Sequence, residues 1–492
     1  MKKLNIPDYV KNILEGLEKA GYEAYLVGGC VRDFLIGREP HEWDITTNAK
    51  PEEIQKVFPD SFYQNEFGTV GVKVKDLGDT SINSGHTAEV VEVTTYRSEE
   101  KYTDKRHPDA VKFVSKLEDD LARRDLTINA VAQSIRGDVA DPFNGRQDIK
   151  DKIIRAVGNP DDRFKEDALR LMRAVRLSAQ LSFDIEPETK SAIKKNANLL
   201  KAISHERIRD ELIELVGSDD PEKGILLMQE LDLLKIVLPE LEEGVGITQN
   251  KHHIYTVFEH AVKSLDFAAQ YNFNVYVRFA SLLHDIGKPR TKQGGGAEAS
   301  FHGHEFVGAK MAARALERLT FHKDFIEKVY TLIRYHMFYY NVGEVTERSV
   351  RRLVKKVGPE NMAELLEVRQ AERKGSGVPK AEPYKLRHLK YMIEKVSRDP
   401  LTVGMLKVNG KDVMDILGIE PGPKVGYILN ALLEEVIDEP ERNSRDYLIG
   451  RMKELDKLPI SDLVKLAEAG KDKLEGEKEK EDEGIKGKYY VK

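Results

Sequence analysis

The stretch LVGGCVRDFLIGREPHEWDITT, residues 26–47, decides the fold. A short apolar run from Ala24 to Val27 meets Gly28-Gly29, and Val31 to Ile36 then reads as a helix ending at Gly37. That is strand, tight turn, helix. Adjacent glycines at such a turn let the backbone approach a phosphate closely, and the helix behind them offers free N–H donors to an anion. Arg32 and Asp33 open the helix. Glu42 and Asp44, spaced i,i+2, fall on one face of a following strand. Carboxylates so arranged hold one or two Mg²⁺ ions, which favour such oxygens together with substrate phosphates.

Upstream, Val10, Ile13, Leu14 and Leu17 stand at helical spacing within residues 7–20. Downstream, segments 70–75, 88–95 and 111–114 alternate or are β-branched and read as strands. Residues 1–150 are therefore α/β or α+β. Glu92, in EVVEVTTYR, is a strand acid whose alternation would bring a third carboxylate beside the pair. YRSEEKYTDKRHPDAVKFV, residues 96–114, is polar and basic between two strands, as a loop closing over a triphosphate would be. LARRDLTINA places Arg123, Arg124 and Asp125 at the start of a helix. From Asp161 the pattern turns helical through Ile393, broken at Gly294–Gly296 and at Gly375-Ser376-Gly377. From Lys471 a Lys/Glu run with few apolar positions reads as a frayed helix or a disordered tail.

The chain has 492 residues, a length that suggests about three domains. Its 78 Lys and Arg against 84 Asp and Glu leave a net charge of −6. Holding nucleic acid by bulk charge is thereby excluded, and any such contact requires local basic clusters. They occur at Lys194-Lys195, Arg207 with Arg209, Arg348 with Arg351-Arg352 and Lys355-Lys356, and Lys385 with Arg387 and Lys390. Cys30 is the single cysteine, so an internal disulfide and a multi-cysteine zinc site are excluded. No apolar run of about 18 residues supports a transmembrane helix. The amphipathic start lacks a signal peptide's apolar stretch. The reading is a cytoplasmic protein with no membrane and no disulfide partner.

Six motifs then fall in order: GGCVRDFLIGR, the Glu42-x-Asp44 pair, TTYR, RRDLTINA, DPFNG at 141–145 and EDALRLMRAVR at 166–176. Together they resemble the class II tRNA nucleotidyltransferase / poly(A) polymerase family. VNGKDVMDILGIEPGPKVGYILNALLEEV, residues 408–436, looks like the tail region of bacterial CCA-adding enzymes. The resemblance implies that Gly28 and Gly29 bind the triphosphate, supported by Arg32 and Asp33. It implies that Glu42 and Asp44 bind Mg²⁺ as catalytic residues, with Glu92 and Arg97 beside them. Arg123, Asp125 and Asn129 would organise the sugar and phosphates. The family carries Asp-x-Asp where this chain has Glu42-Trp43-Asp44. Asp167, Arg170, Arg173 and Arg176 share a broad helix face, and in this family the Glu-Asp-x-Leu-Arg helix reads the incoming base. An Asp acceptor beside an Arg donor suits cytosine or adenine, while guanine and uracil present the wrong order.

Thirteen histidines are unevenly spread. VFEHAV gives His260, LLHDIGK gives His284-Asp285, HGHEFVGA gives His302 and His304, and RYH gives His336. A His-Asp pair ending an apolar helix, with another histidine 24 residues upstream, resembles the HD superfamily of metal-dependent phosphohydrolases. The implied ligands are His260, His284, Asp285, His304 and His336, with Glu372 in the place of the distal Asp. Imidazoles with carboxylates suit Ni²⁺, Mn²⁺, Fe or Zn²⁺.

The expected fold is α+β: a nucleotidyltransferase head with a mixed sheet (1–150, polymerase-β-like), then an all-α neck (151–240), an HD domain (241–378), a helical tail (379–470) and a charged end (471–492). The expected activity is template-independent addition of C, C and A to the 3′ end of tRNA from CTP and ATP. A phosphohydrolase activity of the HD domain on RNA 3′ ends or nucleotides would accompany it. The tRNA acceptor arm is the expected partner, tracked by the basic clusters. The alternatives are an A-adding enzyme or poly(A) polymerase with the same head, an HD phosphohydrolase with an impaired head, or an RNA-binding protein with an inactive head.

Overall fold

Helix α1 (Asp8–Lys19) forms because Val10, Ile13, Leu14 and Leu17 recur at helical spacing, and all four are buried. The computed structural model describes residues 6–40, 42–65, 67–74, 89–100, 110–249, 254–377, 380–397 and 403–491. The apolar face of α1 packs with Leu26, Ile45, Val70 and Val93 of a seven-stranded sheet. Its strands are β1 (Ala24–Val27), β2 (Asp44–Thr47), β3 (Ser61–Asn65), β4 (Thr69–Val74) and β5 (Glu89–Thr95), with two further strands named below. After β5, β6 (Arg97–Glu100) and β7 (Ala110–Phe113) pair as a separate ribbon. Residues 101–109, within the segment expected to close over a triphosphate, lie outside the described residues. The strands β8 (Ala132–Ser134) and β9 (Val139–Ala140) complete the sheet in the order β3-β4-β5-β2-β1-β8-β9. Strands β2 and β5 run parallel and the other pairs antiparallel, so the sheet is mixed.

Helix α2 (Gly29–Leu35) joins β1 to β2, α3 (Pro51–Val57) joins β2 to β3, α4 (Leu117–Ala122) follows the ribbon and α5 (Gly145–Asp151) follows β9. A short parallel pair, β10 (Ile153–Ile154) with β11 (Asp184–Ile185), brackets α6 (Pro160–Glu166) and α7 (Leu169–Leu181). From there the chain is helical, with α8 (His205–Gly217) packed on α7. Four more helices, α9 (Val257–Gln270), α10 (Val275–Leu283), α11 (His304–Arg318) and α12 (Lys323–Tyr335), are joined by α13 (Met362–Gly375). The α+β architecture is as expected. Among the described residues no helix is long and apolar enough to cross a membrane.

The chain divides into two compact units, Met1–Met337 with Glu364–Pro379, and Phe338–Ala363 with Lys380–Lys492. The second contains α14 (Tyr384–Ser397), α15 (Pro423–Asp438) and α16 (Ile460–Tyr489), with a core that includes Val413, Ile428, Leu432, Leu448, Met452 and Leu463. The Lys/Glu run from Lys471, expected to fray or to be disordered, is helical as far as Tyr489. Its far end docks on α14 through polar contacts: Tyr391 Oη donates to Asp482 Oδ1 at 2.5 Å, and Tyr489 Oη to Glu394 Oε2 at 2.8 Å.

Three local expectations are corrected. Strand β2 starts at Asp44, and Glu42 lies before it, exposed, because β1 has already ended in the glycine turn and leaves Glu42 without a strand partner. Arg123, Arg124 and Asp125 follow the end of α4 and precede a 3₁₀ turn, Thr127–Asn129, instead of opening an α-helix. Asp167 stands in an extended break between α6 and α7, so only Arg170, Arg173 and Arg176 share a helix.

Candidate functional site

In the head, Gly28 holds φ at 79°, a conformation that glycine adopts freely and other residues rarely do. A Cβ there would stand 3.1 Å from Arg124 Nη1 and 3.5 Å from Asp44 Oδ2. The turn, a guanidinium and a carboxylate therefore converge. Asp44 is the Cα partner of Glu92 across β2 and β5, which sends both side chains from one face of the sheet. Burial raises the Asp44 carboxyl to about 6; Arg124 opposes the rise, and the charges of Glu92 and Glu42 add to it. Gln64 Nε2 donates to Glu92 Oε1 at 2.9 Å. Acids that repel one another in this way form an oxygen set suited to a divalent cation.

A second line of contacts leads from the glycine turn toward α7. Arg32 Nε donates to Asp33 Oδ1 at 2.8 Å and its Nη1 to Asn129 Oδ1 at 2.9 Å. Asn129 Nδ2 donates to Asp125 Oδ1 at 3.3 Å, and Arg173 Nε lies 3.0 Å from Asp125 Oδ2. Arg170 donates to Glu166 Oε2 at 2.6 Å and to the Arg123 carbonyl at 3.3 Å. Asp167 is gripped by Arg207 of α8, at 3.2 and 2.7 Å, and Arg176 pairs with Glu211 at 2.6 Å. Arg97 turns away from this line, its Nη1 donating to the Phe67 carbonyl.

One head residue, Asp120, and one pairing of the helical region, Arg207 with Asp167, escaped the sequence reading. Asp120 is fully buried and accepts from Thr46 Oγ1 at 3.2 Å, Arg97 N at 3.3 Å and Arg123 Nε at 2.9 Å. Arg124 Nη2 lies 3.7 Å from its other oxygen. Burial alone would raise this acid; Arg123 and Arg124 overcome it and hold Asp120 below its usual range. The signal was the i,i+3 and i,i+4 spacing of Asp120 to Arg123 and Arg124. Arg207 carried no comparable signal, since its partner is 40 residues away.

The histidines assemble in the helical part of the same unit. His260 lies on α9, His284 and Asp285 close α10, His304 opens α11 and His336 closes α12. Gly287 makes this assembly possible, because a Cβ there would fall 2.3 Å from the His304 carbonyl oxygen. His284, His304 and His336 each use Nδ1 toward a backbone carbonyl, at 2.8, 2.7 and 2.7 Å. His284 Nε2 lies 3.0 Å from His260 Nε2 and 3.2 Å from Asp285 Oδ2, so the rings meet at the centre through their Nε2 atoms. His260, His284 and Asp285 converge, as do Asp285, His304 and His336, with donor atoms within 4.8 Å of one another.

Burial works against the Asp285 charge, but His284 and Lys288 hold its carboxyl well below the usual range. Lys288 Nζ lies 2.6 Å from Asp285 Oδ2 and donates to Gln249 Oε1 at 2.7 Å. Burial pushes His336 down to about 3, keeping it in the neutral form that ligates. His304 Nε2 and His336 Nε2 make no hydrogen bond among the described residues. This donor set fits a divalent transition ion. Glu372 lies outside both triads. Arg369 Nη1 donates to both of its oxygens at 2.6 Å and, against the effect of burial, helps hold it at about 2. His302 is exposed and apart from the cluster.

Three family models match the chain. Residues 24–155 match "Poly A polymerase head domain", 182–244 match "Probable RNA and SrmB- binding site of polymerase A", and 257–371 match "HD domain". The chain is 34% identical over 460 residues to the CCA-adding enzyme of Ligilactobacillus salivarius, covering 92% of this chain and 98% of that one. The chain belongs to the CCA-adding enzyme family of nucleotidyltransferases. Family members differ in product: over 335 residues the chain is 36% identical to the A-adding tRNA nucleotidyltransferase of Deinococcus radiodurans, covering 66% of this chain and 76% of that one. The crystal structure of Bacillus stearothermophilus CCA-adding enzyme in complex with CTP has the same fold, with a TM-score of 0.58 at 28% identity over 91% of this chain and 97% of that one.

Proposed function

We propose that this nucleotidyltransferase adds C, C and A to the 3′ end of tRNA from CTP and ATP. The observation that carries the reading is the convergence of Asp44 and Arg124 on the Gly28 turn, with Glu92 opposite Asp44 on the neighbouring strand. The tRNA 3′ oxygen attacks the α-phosphorus, the bond from that phosphorus to the bridging oxygen breaks, and pyrophosphate leaves. Mg²⁺ held by Asp44 and Glu92, with Glu42 at the edge, would polarise the α-phosphate and offset the charge on the leaving group. Gly28 and Gly29 admit the triphosphate to the backbone, and Arg32, Asp33, Arg123, Asp125 and Asn129 hold sugar and phosphates. Asp167 and Arg170 present an acceptor and a donor to the base edge, with Arg173 and Arg176 fixing the α7 face behind them. Basic residues of the helical regions track the acceptor arm of a cytoplasmic tRNA.

Incubation with tRNA lacking CCA, CTP and ATP tests the reading, growth by three defined residues being the expected product. The A-adding alternative has one observation in its favour, the 36% identity to an A-adding relative; it predicts extension only on tRNA already ending in CC.

The HD cluster supports a second activity, hydrolysis of phosphoesters at RNA 3′ ends or on nucleotides. His260, His284, Asp285, His304 and His336 would hold Ni²⁺, Mn²⁺ or Fe, which would supply an activated water. Release of phosphate from 2′,3′-cyclic or 2′-phosphorylated nucleotides tests it, and silence with all three metals rejects it.

A further inference from the structure

Helix α2 begins at the glycine turn, and its far end, seven residues on and about 10 Å away, borders a cavity of about 490 Å³. Leu181 and Phe183 give this cavity an apolar floor, and Arg38, Arg146, Lys150 and Lys152 ring it. Arg38 is partly occupied, its guanidinium donating to the Gln180 carbonyl at 3.1 Å and lying 3.6 Å from Asp219. Arg146, Lys150 and Lys152 are exposed, and no acid among the described residues pairs with their charged side chains, Asp141 accepting only from the backbone N–H of Arg146. Arg146 and Lys150 stand one turn apart on α5, about 6 Å between their Cβ atoms. Lys152, just beyond α5, holds φ at 58°, a conformation in which glycine or asparagine is the usual resident. Four cations around one hollow repel one another until an anion arrives.

The chemistry of the hollow selects the anion. A bare phosphate would leave the apolar floor unused, and an acidic helix needs a long groove where this cavity is compact. A nucleotide unit uses both parts, its phosphate on the cationic rim and its base or ribose over the floor. We propose that this cavity binds one nucleotide unit of the RNA substrate, at a point separate from the cleft where the new bond forms. The choice of RNA as the source rests on the tRNA reading above; a free nucleotide would offer the same chemistry.

The test is the double variant Arg146→Glu/Lys150→Glu of the full chain, with Arg146→Gln/Lys150→Gln as a milder partner. Reversal of exposed Lys323, a site with 85% of its side chain accessible, controls for general charge. Binding of tRNA lacking CCA is followed by filter retention across a KCl series, and the stoichiometry of radiolabelled CTP by equilibrium dialysis. Expected is a rise in the tRNA Kd of about tenfold or more and a fall of about one in the salt slope. The Gln pair should show a smaller rise, Lys323→Glu none, and CTP stoichiometry and KM should not change. An unaltered tRNA Kd and slope in the Glu pair overturns the proposal. A CTP equivalent lost from the Glu pair without change in tRNA binding assigns the cavity to free nucleotide and overturns the RNA assignment. Displacement of tRNA from the cavity by polyglutamate as well as by oligoadenylate also overturns it, in favour of an acidic protein segment. Binding is read independently of extension, so tRNA held through the cavity by a chain that cannot extend it would keep this inference and reject the activity.

Discussion

Asp44 and Glu92 stand opposite each other as Cα partners on the parallel strands β2 and β5. Parallel pairing across 48 residues brings Glu92 to the acidic face of the head beside Asp44, on which the charge of Glu42 also acts. Asp44→Asn and Glu92→Gln should each lower the rate of CTP incorporation by about a hundredfold or more at saturating substrates. Glu42→Gln, at an exposed position before the strand, should cost clearly less. Equal losses at all three positions would mean that Glu42 shares the metal on the same terms.

Asp120 fastens Arg123 and Arg124 from beneath the site. Asp120→Asn removes the one buried charge that both guanidiniums face, and loss of one partner from a buried charge network costs about 3–5 kcal/mol. Urea denaturation should show a drop of that order, with a raised KM for CTP in whatever protein still folds. A stability change below about 1 kcal/mol would place the network in solvent-screened territory.

Arg207 holds Asp167 by two contacts. Arg207→Met should free the carboxylate and erode the preference for CTP and ATP over UTP and GTP by about tenfold, the worth of a weakened bidentate contact. Single-nucleotide incorporation with each triphosphate measures it. Unchanged selectivity would separate Asp167 from base choice.

Gly287→Ala drives a methyl against the His304 carbonyl, where backbone must yield. A loss of about 1–3 kcal/mol from overpacking is expected, together with loss of bound transition metal by elemental analysis. Stripping the metal from the parent with chelator should lower its Tm, since an ion bound only by the folded state stabilises it.

Asp482 ties the charged end of α16 to α14 through Tyr391 and Lys395, and its carboxyl is lowered to about 2 even though burial acts to raise it. A carboxyl depressed by folding contributes stability that is whole above its unfolded pKa, near 4, and is lost as pH falls through about 2. Hydrogen exchange of α16 should therefore accelerate as pH drops from about 4 to 2, after correction for intrinsic rates. Asp482→Asn should show faster exchange at neutral pH and a flatter acid limb. Parallel limbs would remove Asp482 from the docking.

Local chemistry was legible in the sequence wherever one segment carried it. The glycine turn, α1, the strands around Glu92 and the His-Asp pair after an apolar helix were all readable from spacing and residue type. Pairings between distant segments were not. Glu92 was expected beside the acidic pair, but its register with Asp44, the grip of Arg207 on Asp167 and the capture of Glu372 by Arg369 arise from packing that no local period encodes. The docking of the α16 end was not legible for the same reason, because its anchors are a hydroxyl and a carboxylate of another helix.

Extension of tRNA lacking CCA, with CTP and ATP together and each alone, resolved at single-nucleotide length, tests the central claim most directly. The account predicts two added residues with CTP alone, three with both, and extension slowed by about a hundredfold or more in Asp44→Asn. A long A tract, or extension confined to tRNA already ending in CC, would contradict it.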